Sequence, residues 1–333
     1  MEREIQISIL MPVKNAIPFL KECLDSIIAQ GYENWELIAV NDHSTDGTYT
    51  LLEEYEQKDD RIRIYQNNGQ GIIHALRTGY QKSSGIAITR MDADDIMHPN
   101  KLEWMHRLLK INGHGYLVLG LVKYISDKPL GEGYLKYESW LNQLSLTERN
   151  FEEIYKECVV PSPCWMLYKT DLEMIGHFAS DIYPEDYELC FRFRRAGFKI
   201  KTVKEKIHFW RDHPNRSSRQ DPNYTDNRFL ELKTKYFLED DYQSDKPLLV
   251  WGAGKKGKLI TKLLKDKGIS FRWFTNNQNK IGHTINEVKL EEVAELERQK
   301  NSQLIIAIAE KGFKIDFLSN KKVEEPLKIY FFC

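Results

Sequence analysis

Between Ile5 and Arg90 the chain alternates short apolar runs with segments whose apolar residues recur at helical spacing, which restricts it to an α/β architecture. Ile5 to Met11 is a continuous run rich in β-branched residues, the pattern of a strand buried on both faces. Ile17 to Gln30 follows as a helix, with Phe19, Leu20, Leu24, Ile27 and Ile28 on one stripe. Trp35 to Val40, Ile62 to Tyr65 and Ile86 to Arg90 read as further strands, with helices at Gly47 to Gln57 and Ile72 to Lys82. Such a series predicts a parallel sheet covered on both faces, and ligands of such sheets bind beyond the carboxyl ends of the strands.

Polar residues collect at those ends. The first strand empties into Pro12-Val13-Lys14-Asn15, the second into Asn41 to Gly47, and the fourth into Met91-Asp92-Ala93-Asp94-Asp95. Each cluster also has a plain reading, because Asp, Asn, Ser and Thr cap helices and Thr45 or Asp46 starts the next one. Three clusters at one sheet edge point to a polar ligand held with the help of a cation.

Later segments are less regular. A helix is expected over Tyr137 to Leu146, a short buried strand at Cys164 to Tyr168, and an amphipathic helix from Tyr187 to Arg195 stopped by Gly197. The charged stretch Glu239 to Asp245, ending at Pro247, divides a domain of residues 1–240 from one of residues 246–333. Beyond it, Leu248 to Trp251, Ser270 to Phe274, Leu304 to Ala309 and Leu327 to Phe332 read as strands of a second α/β series.

Charge and cysteine usage narrow the function classes. Forty-eight basic residues against 49 acidic ones leave a net charge of −1, which gives no argument for a nucleic-acid partner. The longest apolar runs, such as Leu117 to Val122, fall far short of the ~20 residues of a membrane helix. No signal peptide is read before the first strand, so the expected location is cytoplasmic. Cys23, Cys158, Cys164, Cys190 and Cys333 lack metal or disulfide spacing and read as reduced thiols. The sequon at Asn215 is then a chance match.

Asp92-Ala93-Asp94 places two carboxylates around one small residue on an extended segment, where both reach a divalent ion and a neighbouring ribose. Such an ion neutralises charge on a departing diphosphate. Glu185-Asp186 opens a helix, where carboxylates are favoured by the macrodipole, and is also placed to act as a general base. His208 to Arg219 is dense in His, Arg and Ser. It reads either as a solvated loop or as a source of imidazole for a metal and guanidinium for a diphosphate.

These motifs together resemble family 2 glycosyltransferases with the GT-A fold. The matching pieces are Ile9 to Ala16, Val40 to Thr48, Arg90 to Ile96 with Pro99, Pro184 to Leu189, and Arg211 to Ser218, in order over about residues 5–220. The resemblance implies a mostly parallel mixed sheet flanked by helices, and an inverting transfer from a nucleoside-diphosphate sugar, UDP being the expected nucleotide. It implies that Pro12, Val13 and Asp42 line the pocket for uracil and ribose, with Asn15, Ser44, Gly71 and Ala93 in the same nucleotide set. Asp92 would touch ribose or metal, and Asp94 would hold Mn2+ or Mg2+ against the diphosphate. His213 would complete the metal site, with His208 as its substitute. Asp186 would be the base and Glu185 a second polar contact. Arg77 departs from the asparagine common among relatives; it would either touch a phosphate or pair with an acidic neighbour.

Trp251 to Gly257 follows a strand and opens a helix, the setting of a dinucleotide fingerprint. The acidic residue expected after the next strand is replaced by Thr275-Asn276-Asn277. The stretch resembles small Rossmann-like modules beside sugar-modifying enzymes, serving docking or dimerisation more readily than NAD binding. Expected partners are a UDP-sugar donor and a glycan, lipid-linked or protein acceptor in surface polysaccharide synthesis. Peripheral membrane association and self-association through the C-terminal domain stay open. Three competing readings are a nucleotidyltransferase, a catalytically dead nucleotide-sugar scaffold, and a bifunctional protein with an active C-terminal nucleotide site. The first would want a glycine-rich loop after the first strand, which Pro12 to Ala16 does not supply.

Overall fold

The computed structural model describes residues 6–224, 226–308 and 327–333. Ile5 and Ala309, each placed in a strand by the sequence reading, and the side chains of Ser217 and Ser218 lie outside the described residues. The chain divides into two compact units, Met1–Glu152 with Val159–Gln220, and Glu153–Cys158 with Asp221–Cys333.

The first unit runs β1 (Ile7–Val13), α1 (Ile17–Ile28), β2 (Trp35–Asn41), α2 (Thr48–Glu56), β3 (Ile62–Gln66), α3 (Ile72–Lys82) and β4 (Ala87–Arg90). It continues with β5 (Ile96–Met97), α4 (Lys101–Asn112), β6 (Tyr116–Ile125), α5 (Glu132–Thr147), β7 (Trp165–Tyr168), α6 (Lys169–Met174), α7 (Glu185–Arg195), β8 (Lys199–Arg211) and α8 (Ser217–Gln220). Its eight strands form one mixed sheet in the order β3-β2-β1-β4-β7-β6-β8-β5. The first four strands are mutually parallel, as the alternation predicts. β7 runs antiparallel to both β4 and β6, β8 is parallel to β6, and β5 pairs antiparallel with β8.

Apolar packing decides these elements more than capping does. α1 buries Leu20, Cys23, Leu24 and Ile27. Each buried aliphatic side chain contributes about 1.5–3 kcal/mol, against about 1 kcal/mol for a good cap. Those residues join Ile7, Ile9, Met11, Leu37, Met105 and Ile207 in one core. Because β1 lies between β2 and β4 while their connections leave in opposite directions, the strand order reverses at β1/β4, the point beyond whose carboxyl ends open α/β sheets receive their ligands.

The second unit contains α9 (Asp226–Tyr236), β9 (Leu248–Trp251), α10 (Lys255–Asp266), β10 (Arg272–Thr275), β11 (Thr284–Ile285), β12 (Val288–Glu292), β13 (Gln303–Ile306) and β14 (Lys328–Phe331). Its sheet order, β11-β12-β10-β9-β13-β14, is Rossmann-like, with β12, β10, β9, β13 and β14 parallel. Gly252 sits at φ +119°, and a Cβ on Gly257 would stand 1.9 Å from the Gly252 carbonyl oxygen. The glycines therefore serve a tight turn and close packing of α10 on it. Lys280 Nζ donates to Ala253 O at 2.9 Å, so a side chain of this unit already crosses that turn.

Candidate active site

The exits of β1 and β2 are tied together by their own polar side chains. Asn15 N donates to Ser44 Oγ at 2.9 Å, and Thr45 N donates to Asn15 Oδ1 at 2.8 Å. Asp46 accepts from Thr48 N and Ile17 N, so it ties the starts of α2 and α1 together, while the N-cap position of α2 itself is taken by Gly47 rather than by Thr45 or Asp46. Asp42 is buried and accepts from Asn67 Nδ2 (2.6 Å), Gly71 N (3.0 Å) and Lys14 Nζ (3.1 Å). Burial would raise this carboxyl, but the bonds from Asn67, Lys14 and Gly71 outweigh it and hold Asp42 below the usual carboxylate range. Gly71 takes φ +85°, which presents its amide to Asp42 at the start of α3. Pro12 is half-buried and Val13 is buried at the end of β1, beside Asp42 at the end of β2.

After β4 the chain alternates sides. Met91, Ala93 and Asp95 are buried, whereas Asp92 and Asp94 are half-buried, so the two carboxylates of the Asp-x-Asp share the open side. Asp94 Oδ2 accepts from His213 Nε2 at 2.8 Å, and the imidazole rests against Phe19 with ring centroids 4.6 Å apart. Asp92 Oδ1 accepts from Arg90, with Nη2 at 3.0 Å and Nε at 3.2 Å. Arg90 Nη1 also reaches Glu185 Oε1 at 3.2 Å. A buried guanidinium therefore joins the end of β4 to the first turn of α7.

Asp186 follows Glu185 in that turn, and its Oδ1 accepts from Tyr187 N at 2.8 Å. Burial, and next the negative charge of Glu185, push the Asp186 carboxyl up to about 7, against an opposing pull from Arg90. Asp92 adds to the rise, which places the two carboxylates in one electrostatic environment. A carboxyl half-ionised near neutrality is suited to general-base work.

Arg216 lies over Trp210 (5.2 Å) and Tyr124 (5.9 Å) and contributes positive charge to the environment of Asp92 and Asp95. Arg211 Nε donates to Asp94 O at 2.8 Å, while its Nη2 pairs with Glu22. The segment His208 to Arg219 is thus no free loop: it runs from the end of β8 back over the acidic cluster.

Of the expected metal set, the structure brings Asp94 and His213 together. Two ligand atoms at right angles on an ion about 2.1 Å away lie about 3 Å apart, so the 2.8 Å pair has a spacing that one octahedral cation accommodates. The Asp94 carboxylate oxygen suits Mn2+ or Mg2+ completed by phosphate oxygens and water, and the imidazole nitrogen of His213 favours Mn2+ of the two. Asp92 turns its Oδ1 to Arg90 instead, and among the described residues no group of three or more His, Cys, Asp or Glu could hold an ion. His208, the substitute in the sequence reading, is fully buried between Asp95 and Lys101 and belongs to a different network. Burial, then the charges of Lys101 and Arg216, hold it well below the usual imidazole range.

Arg77 takes the second of its two alternatives. Its Nε and Nη2 donate to Phe178 O (2.6 Å) and Ala179 O (2.7 Å), and Nη2 pairs with Asp181 at 2.6 Å. It acts as a strut for the loop leading into α7.

Three participants carry no role in the sequence reading. Arg90 is a buried charged residue that ends β4, directly before the Asp-x-Asp, a signal the sequence carries. Asn67, which positions Asp42, and Lys101, fully buried at the start of α4, give no pattern that distinguishes them from solvated residues.

The chain is similar to known proteins in sequence and in fold. Residues 8–176, about half of the chain, match the family described as glycosyl transferase family 2. An uncharacterized glycosyltransferase of Haemophilus influenzae is 28% identical over 81% of this chain and 87% of its own length. Staphylococcus aureus TarS 1-349 in complex with UDP-GlcNAc superposes with a TM-score of 0.56 at 15% identity, covering 78% of this chain and 72% of that one. A mannosyltransferase of Pyrobaculum calidifontis, in complex with GDP-Man and Mn2+, gives 0.53 at 16% identity over 79% and 69%. The fold of the first unit is the GT-A fold, and the chain belongs to glycosyl transferase family 2.

Proposed function

We propose that the protein transfers a sugar from a UDP-sugar to an acceptor hydroxyl with inversion at the anomeric carbon, assisted by Mn2+ or Mg2+. The observation that carries this reading is the bridge through Arg90, which gathers the Asp-x-Asp exit of β4 and the Glu185-Asp186 turn around one crevice. TarS in complex with UDP-GlcNAc and the mannosyltransferase in complex with GDP-Man and Mn2+ support a nucleoside-diphosphate sugar donor, the latter also a divalent cation, and uridine is the nucleotide that the motif resemblance implies.

In this reading Pro12, Val13, Asn15, Asp42, Ser44 and Gly71 form the nucleotide wall. Asp42 is fixed by Asn67, Lys14 and Gly71, so it offers a carboxylate that does not reorganise when a base arrives. Asp92 faces ribose with the backbone of Ala93 beside it, and Asp94 with His213 would hold the cation. When bound, that ion supplies charge neutralisation for the leaving diphosphate. Asp186 removes the proton from the acceptor hydroxyl as its oxygen attacks the anomeric carbon. The glycosidic C–O bond to the diphosphate breaks on the opposite face, and the nucleoside diphosphate departs with the electron pair. A single base suffices, since no covalent glycosyl-enzyme is formed.

No helix among the described residues is long and apolar enough to cross a membrane. A cytoplasmic protein building surface glycans, with the second unit serving docking or self-association, is the setting we infer. The test is the product's anomeric configuration. With an α-linked donor, proton NMR of the fresh product should show a β linkage; an α product would exclude single displacement.

A further inference from the structure

Beneath the acidic exit of β4 three ionisable side chains are sealed from solvent: Asp95 is 1% exposed, Lys101 and His208 0%. They form one chain of hydrogen bonds. Lys101 Nζ donates to Pro163 O (2.7 Å) and to His208 Nδ1 (3.0 Å). An amine on Nδ1 makes that nitrogen the acceptor, so Nε2 carries the hydrogen and donates to Asp95 Oδ2 at 2.8 Å. The other oxygen, Asp95 Oδ1, accepts from Arg211 N at 2.8 Å.

Stability alone does not account for this arrangement. Removing charges from water is costly, and well-packed apolar residues often replace a buried ion pair without loss. What the chain does have is position. Asp95 follows Asp94 directly, and Arg211 precedes His213 by two residues. Both oxygens of Asp95 are bound to β8, at His208 and at Arg211, while Arg211 Nε returns to Asp94 O at 2.8 Å. The carboxylate of Asp95 thus spans the two chain exits that present Asp94 and His213.

We propose that Lys101, His208 and Asp95 are positioning residues that set the separation of Asp94 and His213, and thereby the affinity of the site for a divalent cation. This rests on the assignment of Asp94 and His213 as the cation's ligands. His208 acts by passing a hydrogen bond from Lys101 to Asp95; it neither binds the ion nor exchanges a proton. Supporting shells of this kind typically change metal affinity by about 10–100-fold when broken.

The experiment measures Mn2+ affinity by electron paramagnetic resonance in the presence of UDP, with UDP affinity in EDTA and thermal unfolding as controls. Asp95→Asn keeps the volume but has a single acceptor oxygen for two donors, and should weaken Mn2+ at least tenfold. His208→Leu should do the same. His208→Gln should stay within a few-fold of wild type, because its amide oxygen and nitrogen reproduce the acceptor facing Lys101 and the donor facing Asp95. UDP affinity in EDTA should be unchanged throughout. If His208→Leu does not fold, Asp95→Asn and His208→Gln carry the comparison.

Wild-type Mn2+ affinity in folded Asp95→Asn would overturn the proposal, since the backbone pairing of β5 with β8 would then set the spacing by itself. A loss in His208→Gln as deep as in Asp95→Asn would overturn it too, by showing that the imidazole itself is required. Absence of Mn2+ binding in the wild type would overturn both this role and the cation reading. Wild-type binding with unaffected variants would overturn this role alone.

Discussion

Arg90 and Glu185, 95 residues apart in sequence, are joined by a 3.2 Å hydrogen-bonded ion pair whose side chains are 5% and 8% exposed. The same guanidinium holds Asp92. One cation therefore fixes the distance between the exit of β4, where the donor's ribose and phosphates are proposed to lie, and the turn that carries the proposed base. A base must meet the acceptor hydroxyl at hydrogen-bond distance while the donor is held in line, so this cross-link is where donor and acceptor chemistry are brought into register.

Asp186→Asn keeps the shape of the base and its bond from Tyr187 N but removes its basicity. The transfer rate should fall by about 10²–10⁴-fold, with UDP affinity by calorimetry unchanged. Transfer within a few-fold of wild type would move the base elsewhere.

The pH profile follows from the causes acting on Asp186. Its carboxyl is raised to about 7 by burial and by Glu185, and only the ionised form accepts a proton. The rate should therefore fall as pH drops below about 7, tenfold per unit once well below it. Glu185→Gln removes a negative charge that raises Asp186, so the acidic limb should move to lower pH. A limb that stayed in place, or moved to higher pH, would contradict this electrostatic account.

Removal of divalent cations with EDTA should abolish transfer, and Mn2+ or Mg2+ should restore it. His213→Ala should raise the Mn2+ concentration needed for half-maximal rate by about tenfold or more, as loss of one ligand from a weak site does. Unchanged cation dependence would remove His213 from the site.

In the second unit, Gly257→Ala puts a Cβ 1.9 Å from a backbone oxygen, which no side-chain rotation relieves. Moving α10 off the turn should cost about 1–3 kcal/mol. The check is urea unfolding of the full chain, where Gly257→Ala should lower a transition midpoint and Gly254→Ala, whose Cβ meets nothing within 4 Å, should change it far less.

The first four strands and their helices were legible because each has a strong period and each is buried by neighbours close in sequence. The two long strands β6 and β8 were not. Lys199 to Arg211 alternates lysines with apolar residues, and a charged segment near the surface reads as loop until a partner strand 80 residues earlier is known. The Asp-x-Asp and Glu-Asp motifs were legible as chemistry, whereas their connection through Arg90 was not, since an ion pair across 95 residues leaves no local pattern. His208 and His213 illustrate the same boundary. Both lie in one motif, yet β8 buries His208 against Asp95 while the chain beyond the strand brings His213 to Asp94.

The central claim is metal-assisted transfer from a UDP-sugar at the crevice beyond β1 and β4. Its most direct test is release of UDP from a panel of UDP-sugars, with GDP-sugars as controls, by wild type and Asp94→Ala, each with and without Mn2+. The account predicts Mn2+-dependent release of UDP from a donor of the panel, lost in Asp94→Ala. Equal release by wild type and Asp94→Ala, or release without any divalent cation, would contradict it.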